Sequence, residues 1–175
     1  MIKTARLHLR RFVDDDRPRV AAWNADEQFT RHLAGVQSRE QSDEAFDRWQ
    51  RHWDEHAFGP LAVEWRETGE LIGRVGPQFH RSWPADPEVG WGIDQAWWGQ
   101  GIATEAGAAA VAWAFGALDT ARVVSITLEA NLASRRVMAK LGFALHERVP
   151  SDWGMLWVHA LDRPISRPGR DQRYA

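Results

Sequence analysis

Residues 88–106 read EVGWGIDQAWWGQGIATEA, and this stretch decides the fold. Its first part, 88–93, alternates as a strand does, with Val89, Trp91 and Ile93 on one face and Gly90 and Gly92 on the other. Glycine weakens a strand, so a pair of them marks a bulge or the close approach of a ligand or of another backbone. After 94–98 the chain passes through Gly99-Gln100-Gly101 into an Ala-rich run at 102–118, which predicts a helix slim enough to lie close on a sheet. The first turn of any helix has unpaired backbone N–H groups at the positive end of its dipole. With no side chains at Gly99 and Gly101, those groups can wrap a pyrophosphate, while Ala103 keeps the helix start narrow and Thr104 adds a hydroxyl donor. Alone, the loop reads equally as a tight turn. It is not a P-loop, because no Gly-Lys-Ser/Thr follows. A dinucleotide fingerprint would place Gly at 104 and shorten the five residues between Ile93 and Gly99.

Working outward, 123–128 (VVSITL) is a strand expected to lie parallel to 88–93 through a right-handed crossover. A helix at 131–141 follows, stopped by Gly142, and then strands at 143–149 and 156–161. Before residue 88, the alternation at 4–12 predicts a strand, and Asp14, Asp15 and Asp16 offer caps for a helix at 18–24. Ser38 opens a capping box with Gln41 for a helix at 39–56, along which Phe46, Trp49 and Trp53 form an apolar stripe. Strands at 61–66 and 71–75 flank a turn containing Gly69. Three prolines at 77–87 predict a loop, and the tail at 162–175 reads as disordered. The element order gives a single α/β (α+β) domain over 1–161, a mixed and mostly antiparallel sheet with helices on both faces.

Composition removes several functions. Hydrophobic residues make up 44% and charged residues 26%, with a net charge of -2, so a core is affordable and no global field attracts nucleic acid. No cysteine is present, which excludes disulfides, cysteine-ligated zinc and a cysteine nucleophile. His52 and His56 lie four apart on one helix, but Trp53 stands where a metalloprotease motif needs Glu, and no metal is expected. No apolar run approaches the ~20 residues of a membrane span. Residues 1–11 lack the apolar core of a signal peptide, so a cytoplasmic protein is expected.

The 88–106 run, together with ITLEANLASRRVMAKLGF at 126–143, resembles the GNAT superfamily of acetyltransferases. More narrowly it is similar to the RimJ/RimL-type branch of ribosomal-protein N-terminal acetyltransferases. The family's Arg/Gln-x-x-Gly-x-Gly/Ala loop corresponds to Trp98-Gly99-Gln100-Gly101-Ile102-Ala103, with Trp98 departing from the first residue as is usual in this branch. The resemblance implies two parallel strands splayed apart with acetyl-CoA between them. The backbone near Trp91 and Ile93 would pair with pantetheine. Gly99, Gln100, Gly101, Ile102, Ala103 and Thr104 would hold the pyrophosphate, and Asn131 would contact the arm. The acceptor would be an amine, on a peptide N-terminus or a small molecule, attacked directly in a ternary complex. Glu88 matches the branch's acidic base, and Ser134 matches its serine near the leaving thiol. Many members use a helix tyrosine as acid, but Met138 stands at that position, and the only Tyr is Tyr174. The acceptor groove is expected from residues 24–60 and 77–87, with Trp49, Trp53, His80, Trp83 and Asp86 as candidates. A homodimer, a non-catalytic acyl-CoA-binding module and a Rossmann-like nucleotide binder stay open.

Overall fold

A computed structural model describes residues 1–33, 35–80 and 83–164. The chain runs β1 (Ile2–Lys3), β2 (Leu7–Arg11), α1 (Arg17–Asn24), α2 (Glu27–Thr30), α3 (Arg39–His56), β3 (Leu61–Trp65), β4 (Leu71–His80) and β5 (Trp83–Ile93). It continues through α4 (Ile102–Ala117), β6 (Arg122–Leu128), α5 (Leu132–Lys140), β7 (Ala144–Ser151) and β8 (Gly154–Asp162). One eight-stranded sheet has the order β1-β2-β3-β4-β5-β6-β8-β7. All neighbours are antiparallel except β5 and β6, which are parallel as the strand-helix-strand unit requires.

The small residues of α4 do what their size allows. Ala106, Ala110 and Ala114 are fully buried, in one core with Val75, Val89, Ile93 and Val123 of the sheet. Met138 of α5 and Phe143 after it close the same core. On the opposite face α1 and α3 pack Val20, Trp23 and Phe46 against Phe12 and Ala62. Ser38 caps α3 through the expected box, its N–H donating to Gln41 Oε1 at 2.8 Å and its Oγ accepting from the Gln41 N–H at 3.3 Å.

Three expectations need correction. The strand expected at 4–12 is only Leu7–Arg11: the Thr4 N–H donates to the Leu7 carbonyl at 3.0 Å, so residues 4–6 turn the chain back on β1, which lies before the alternating stretch. Asp16 does not cap α1. It is buried and takes a bidentate contact from Arg10 at 2.7 and 2.8 Å, which raises the Arg10 pKa. Most importantly, 77–87 is not a loop, since β4 runs to His80 and β5 begins at Trp83. Pro77 lies past the last β3 partner, Leu61↔Val75, and Pro87 precedes the β6 pairing at Glu88↔Val124. Pro77 therefore has a neighbour on one side only, Val89 of β5, and Pro87 stands in the irregularity between the Gln78↔Glu88 and His80↔Trp83 pairs; a sheet tolerates a missing N–H at both kinds of place. The tail expectation falls largely on 165–175, outside the described residues.

Candidate active site

β5 and β6 share one paired position, Glu88↔Val124. Past it a cavity of about 320 Å³ opens. Glu88, Gly90 and Trp91 line it from β5, residues 125–128 from β6, and Asn131 and Ser134 from the start of α5. Arg74 and Gln78 of β4 and Arg48 and Trp49 of α3 form another part of the wall.

Strand register fixes Glu88. It pairs across the sheet with Gln78, whose Nε2 donates to Glu88 Oε2 at 3.3 Å. The residue is only 6% exposed, and this is its single hydrogen bond to a side chain among the described residues. A buried carboxylate needs partners, so the rest of its accepting capacity is turned to whatever enters the cavity. Gly90 keeps that face open: a Cβ there would lie 3.6 Å from Glu88 Oε1. Gly92 has a different reason, because a Cβ would meet Phe29 Cζ at 2.9 Å. The close approach there comes from the protein itself.

Asn131 is the N-cap of α5, its Oδ1 accepting from the Ser134 N–H at 3.1 Å. This bond fixes Ser134 on the helix's first turn, half-buried at the cavity wall. Met138, one turn further on, is fully buried in the core.

The Gly-rich loop lies at the start of α4. Gly99 and Gly101 have φ of 74° and 77°, left-handed values that favour glycine, and no side chain caps the helix. The N–H groups of that first turn thus face outward unclaimed by a cap. Trp98 anchors the loop to the sheet, its Nε1 donating to the Ile93 carbonyl at 2.6 Å. Arg6 anchors it to β2: Nη1 donates to the Gln100 carbonyl at 3.0 Å and Nε to Glu105 Oε2 at 2.7 Å.

Glu88, Trp91, Asn131 and Ser134 thus meet at one cavity, while Ile93 and 99–104 lie beyond its lining. Of the groove candidates, Trp49 and His80 line it. Trp53 does not, since its Nε1 donates to the Pro60 carbonyl at 2.9 Å and its ring packs on the core. Trp83 and Asp86 bond each other, Nε1 to Oδ2 at 3.1 Å, outside the lining. His52 spans the backbone of Phe58 and Phe79, with Nδ1 2.7 Å from one carbonyl and Nε2 3.1 Å from the other N–H. Among the described residues no cluster of three or more His, Asp or Glu is placed to hold a metal.

Sequence reasoning missed Arg74, Gln78, Gln37, Arg6 and Glu105. The Arg74 guanidinium lies over the Trp49 ring, 5.3 Å from its centroid, and its Nε is buried without a hydrogen-bond partner. Burial pulls its pKa down and the Glu88 carboxylate pulls it back up in part. Gln37 Oε1, also in the lining, is buried and unpartnered too.

Residues 6–144 match the family model described as "Acetyltransferase (GNAT) domain". The chain belongs to the GNAT family. A GNAT relative, the "Uncharacterized N-acetyltransferase YoaA" of Bacillus subtilis (strain 168), is 30% identical over 149 residues, 82% of each chain. Among solved structures, an acetyltransferase from Agrobacterium tumefaciens str. C58 superposes with a TM-score of 0.84 at 28% identity, covering 93% of this chain and 94% of that one. A ribosomal-protein-S5-alanine acetyltransferase from Vibrio fischeri shares the GNAT fold, with a TM-score of 0.72 at 17% identity over 95% and 98% of the two chains. The protein is an acetyltransferase, and its parallel β5–β6 pair is the one the GNAT resemblance implied. Among the described residues no helix is long and apolar enough to cross a membrane.

Proposed function

We propose that this GNAT enzyme transfers an acetyl group from acetyl-CoA to a primary amine by direct attack in a ternary complex. The observation that carries the reading is the meeting of buried Glu88 and Ser134 on one cavity where β5 and β6 part. Acetyl-CoA supplies the activated carbonyl. The uncapped first turn of α4, reached through two left-handed glycines, suits its pyrophosphate. The edge of β5 past Glu88 suits its pantetheine amides, because β6 does not pair there. Ile93 offers less than Trp91, since Trp98 already bonds its carbonyl.

An amine attacks only when neutral. An α-amine, with a pKa of about 7.7–8.0, needs far less help than a Lys amine near 10.4. Glu88 takes the amine proton, directly or through one water, as the nitrogen bonds to the thioester carbon. The C–S bond then breaks and its electron pair leaves on sulfur, which is reprotonated from water or through the Ser134 hydroxyl. A peptide N-terminus and a small amine are both acceptors of this class. The test is CoA release against an amine panel, with mass spectrometry of the products. An added mass of one acetyl group on the amine is expected; CoA release unchanged by any amine overturns the reading.

A further inference from the structure

The charges of the cavity wall are unequal. Among its described lining residues Glu88 is the only carboxylate, whereas Arg48 and Arg74 are permanent cations. Arg48 has no ion-pair partner among the described residues, and Arg74 has only the ring of Trp49 and the distant attraction of Glu88. A guanidinium with a buried N–H and no acceptor is costly, and such a group survives where a ligand completes it. Register places it well. Gln78 pairs with Glu88, Gly76 with Gly90, and Arg74 with Gly92. Between the carboxylate and the guanidinium β5 contributes only Gly90 to the cavity wall, so no β5 side chain stands between them, while the space over its partner Gly76 is taken by the backbone of Gly59 and Pro60.

We infer that the acceptor is an amine that carries its own carboxylate, bound with its nitrogen toward Glu88 and its carboxylate on Arg74. This rests on the amine-acetylation reading and narrows its substrate class. A carboxylate accepts from a guanidinium in the geometry Arg offers best. A polyamine or an aminoglycoside would instead bring further positive charge against Arg48 and Arg74, where like charges disfavour it. The unpartnered Gln37 Oε1, in the same lining, is an acceptor for an N–H of that ligand.

The experiment compares free amino acids, ω-amino acids of increasing length and Asp- or Glu-containing dipeptides with their charge-neutral amides, alongside spermidine and kanamycin. The length series separates a free amino acid from an acidic peptide as the source of the carboxylate. The best acid is expected to exceed its own amide by roughly 10–100-fold in kcat/KM. In Arg74→Gln that ratio should collapse toward one, chiefly through KM, and Arg74→Lys should restore part of it. Binding of the N-acetylated acid and its amide, read by calorimetry, reports the same preference without turnover. Failure of every amine to release CoA would therefore strike the acetyltransfer reading and leave this one still decided. Amides or polyamines bound and turned over as well as the acids, or a ratio unchanged in Arg74→Gln, would overturn the assignment.

Discussion

Arg6 and Glu105 are joined across 99 residues by a 2.7 Å Nε–Oε2 contact, and through it the N-terminal hairpin holds the start of α4. Glu105 also accepts from the Thr4 hydroxyl at 2.6 Å and the Arg6 N–H at 2.9 Å. These three bonds hold its carboxyl ionised to lower pH than usual, against the burial that opposes them. With Arg6 Nη1 on the Gln100 carbonyl, the Gly-rich loop is braced from outside in addition to its own bonds from Trp98 to Ile93 and from Gln100 Nε2 to the Ala96 carbonyl.

Loss of that brace should loosen the loop. Glu105→Gln is expected to raise the KM for acetyl-CoA several-fold with little change in kcat. The cost in stability should be about 1 kcal/mol, because Arg6 is 38% exposed and solvent screens the pair. Steady-state kinetics and thermal unfolding read the two effects.

Gly101→Val should cut acetyl-CoA affinity at least tenfold. The space is open, since a Cβ would be 3.7 Å from the Arg6 guanidinium, but a φ of 77° is one a β-branched residue strongly avoids. The loop must then refold away from its left-handed turn. Equilibrium binding on a variant with native circular dichroism checks this, and unchanged affinity would show that the loop does not grip the pyrophosphate.

Glu88→Gln should lower kcat by about 10²–10⁴-fold while leaving acetyl-CoA binding nearly intact. The defect should shrink as pH rises and the amine deprotonates unaided. A flat pH profile for the ratio of the two enzymes would reduce Glu88 to a buried charge that shapes the cavity.

Ser134→Ala should cost less than Glu88→Gln, because a thiol of pKa about 8.5 is a good leaving group with little protonation. No tyrosine is expected to act in this step. Met138 is sealed in the core, and deletion from residue 166 onward, which removes Tyr174, should leave turnover nearly unchanged. Turnover lost in a folded deletion variant would place the acid in that segment.

His52 gives a pH dependence of stability. Burial lowers its pKa from 6.5, opposed by the bond to the Phe58 carbonyl, and Nε2 can accept from the Phe79 N–H only when unprotonated. The folded state therefore binds fewer protons here than the unfolded chain. Its contribution is fully present above pH 6.5 and is lost as pH falls from there through the lowered folded value. Urea unfolding at pH 8 and pH 5.5 should show a smaller difference in His52→Gln than in the native protein.

What the sequence disclosed was local. Left-handed glycines at 99 and 101, the Asn131 cap and the Ser38–Gln41 box are each decided within a few residues, and each stands where its chemistry required. What it hid was made by partners far along the chain. Arg74 reads as an ordinary strand polar residue, and Gln78 as part of a loop, until the β4–β5 register sets them opposite Gly92 and Glu88. The same register explains 77–87, whose prolines read as punctuation but lie past the last β3 pair and in the irregularity between Gln78↔Glu88 and His80↔Trp83. Asp16 looked like a cap because its true partner, Arg10, belongs to another element. Trp49 and Trp53 share one stripe, yet only the former reaches the cavity; helical spacing defines a face and cannot say where the core ends along it.

The lone Glu88↔Val124 rung makes the sheet two leaves, β1–β5 and β6–β8, with α4 as their common spine. Ala110 and its neighbours share a single buried core with Val89 of one leaf and Val123 of the other. The angle between the leaves is thus set by the thickness of the spine, and that thickness is a run of methyl groups. A guest lying along the β5 edge would bridge the leaves on the side where the backbone ladder stops. Its binding is then expected to slow amide exchange in both leaves together, which measures how far the mouth of the enzyme is also its seam.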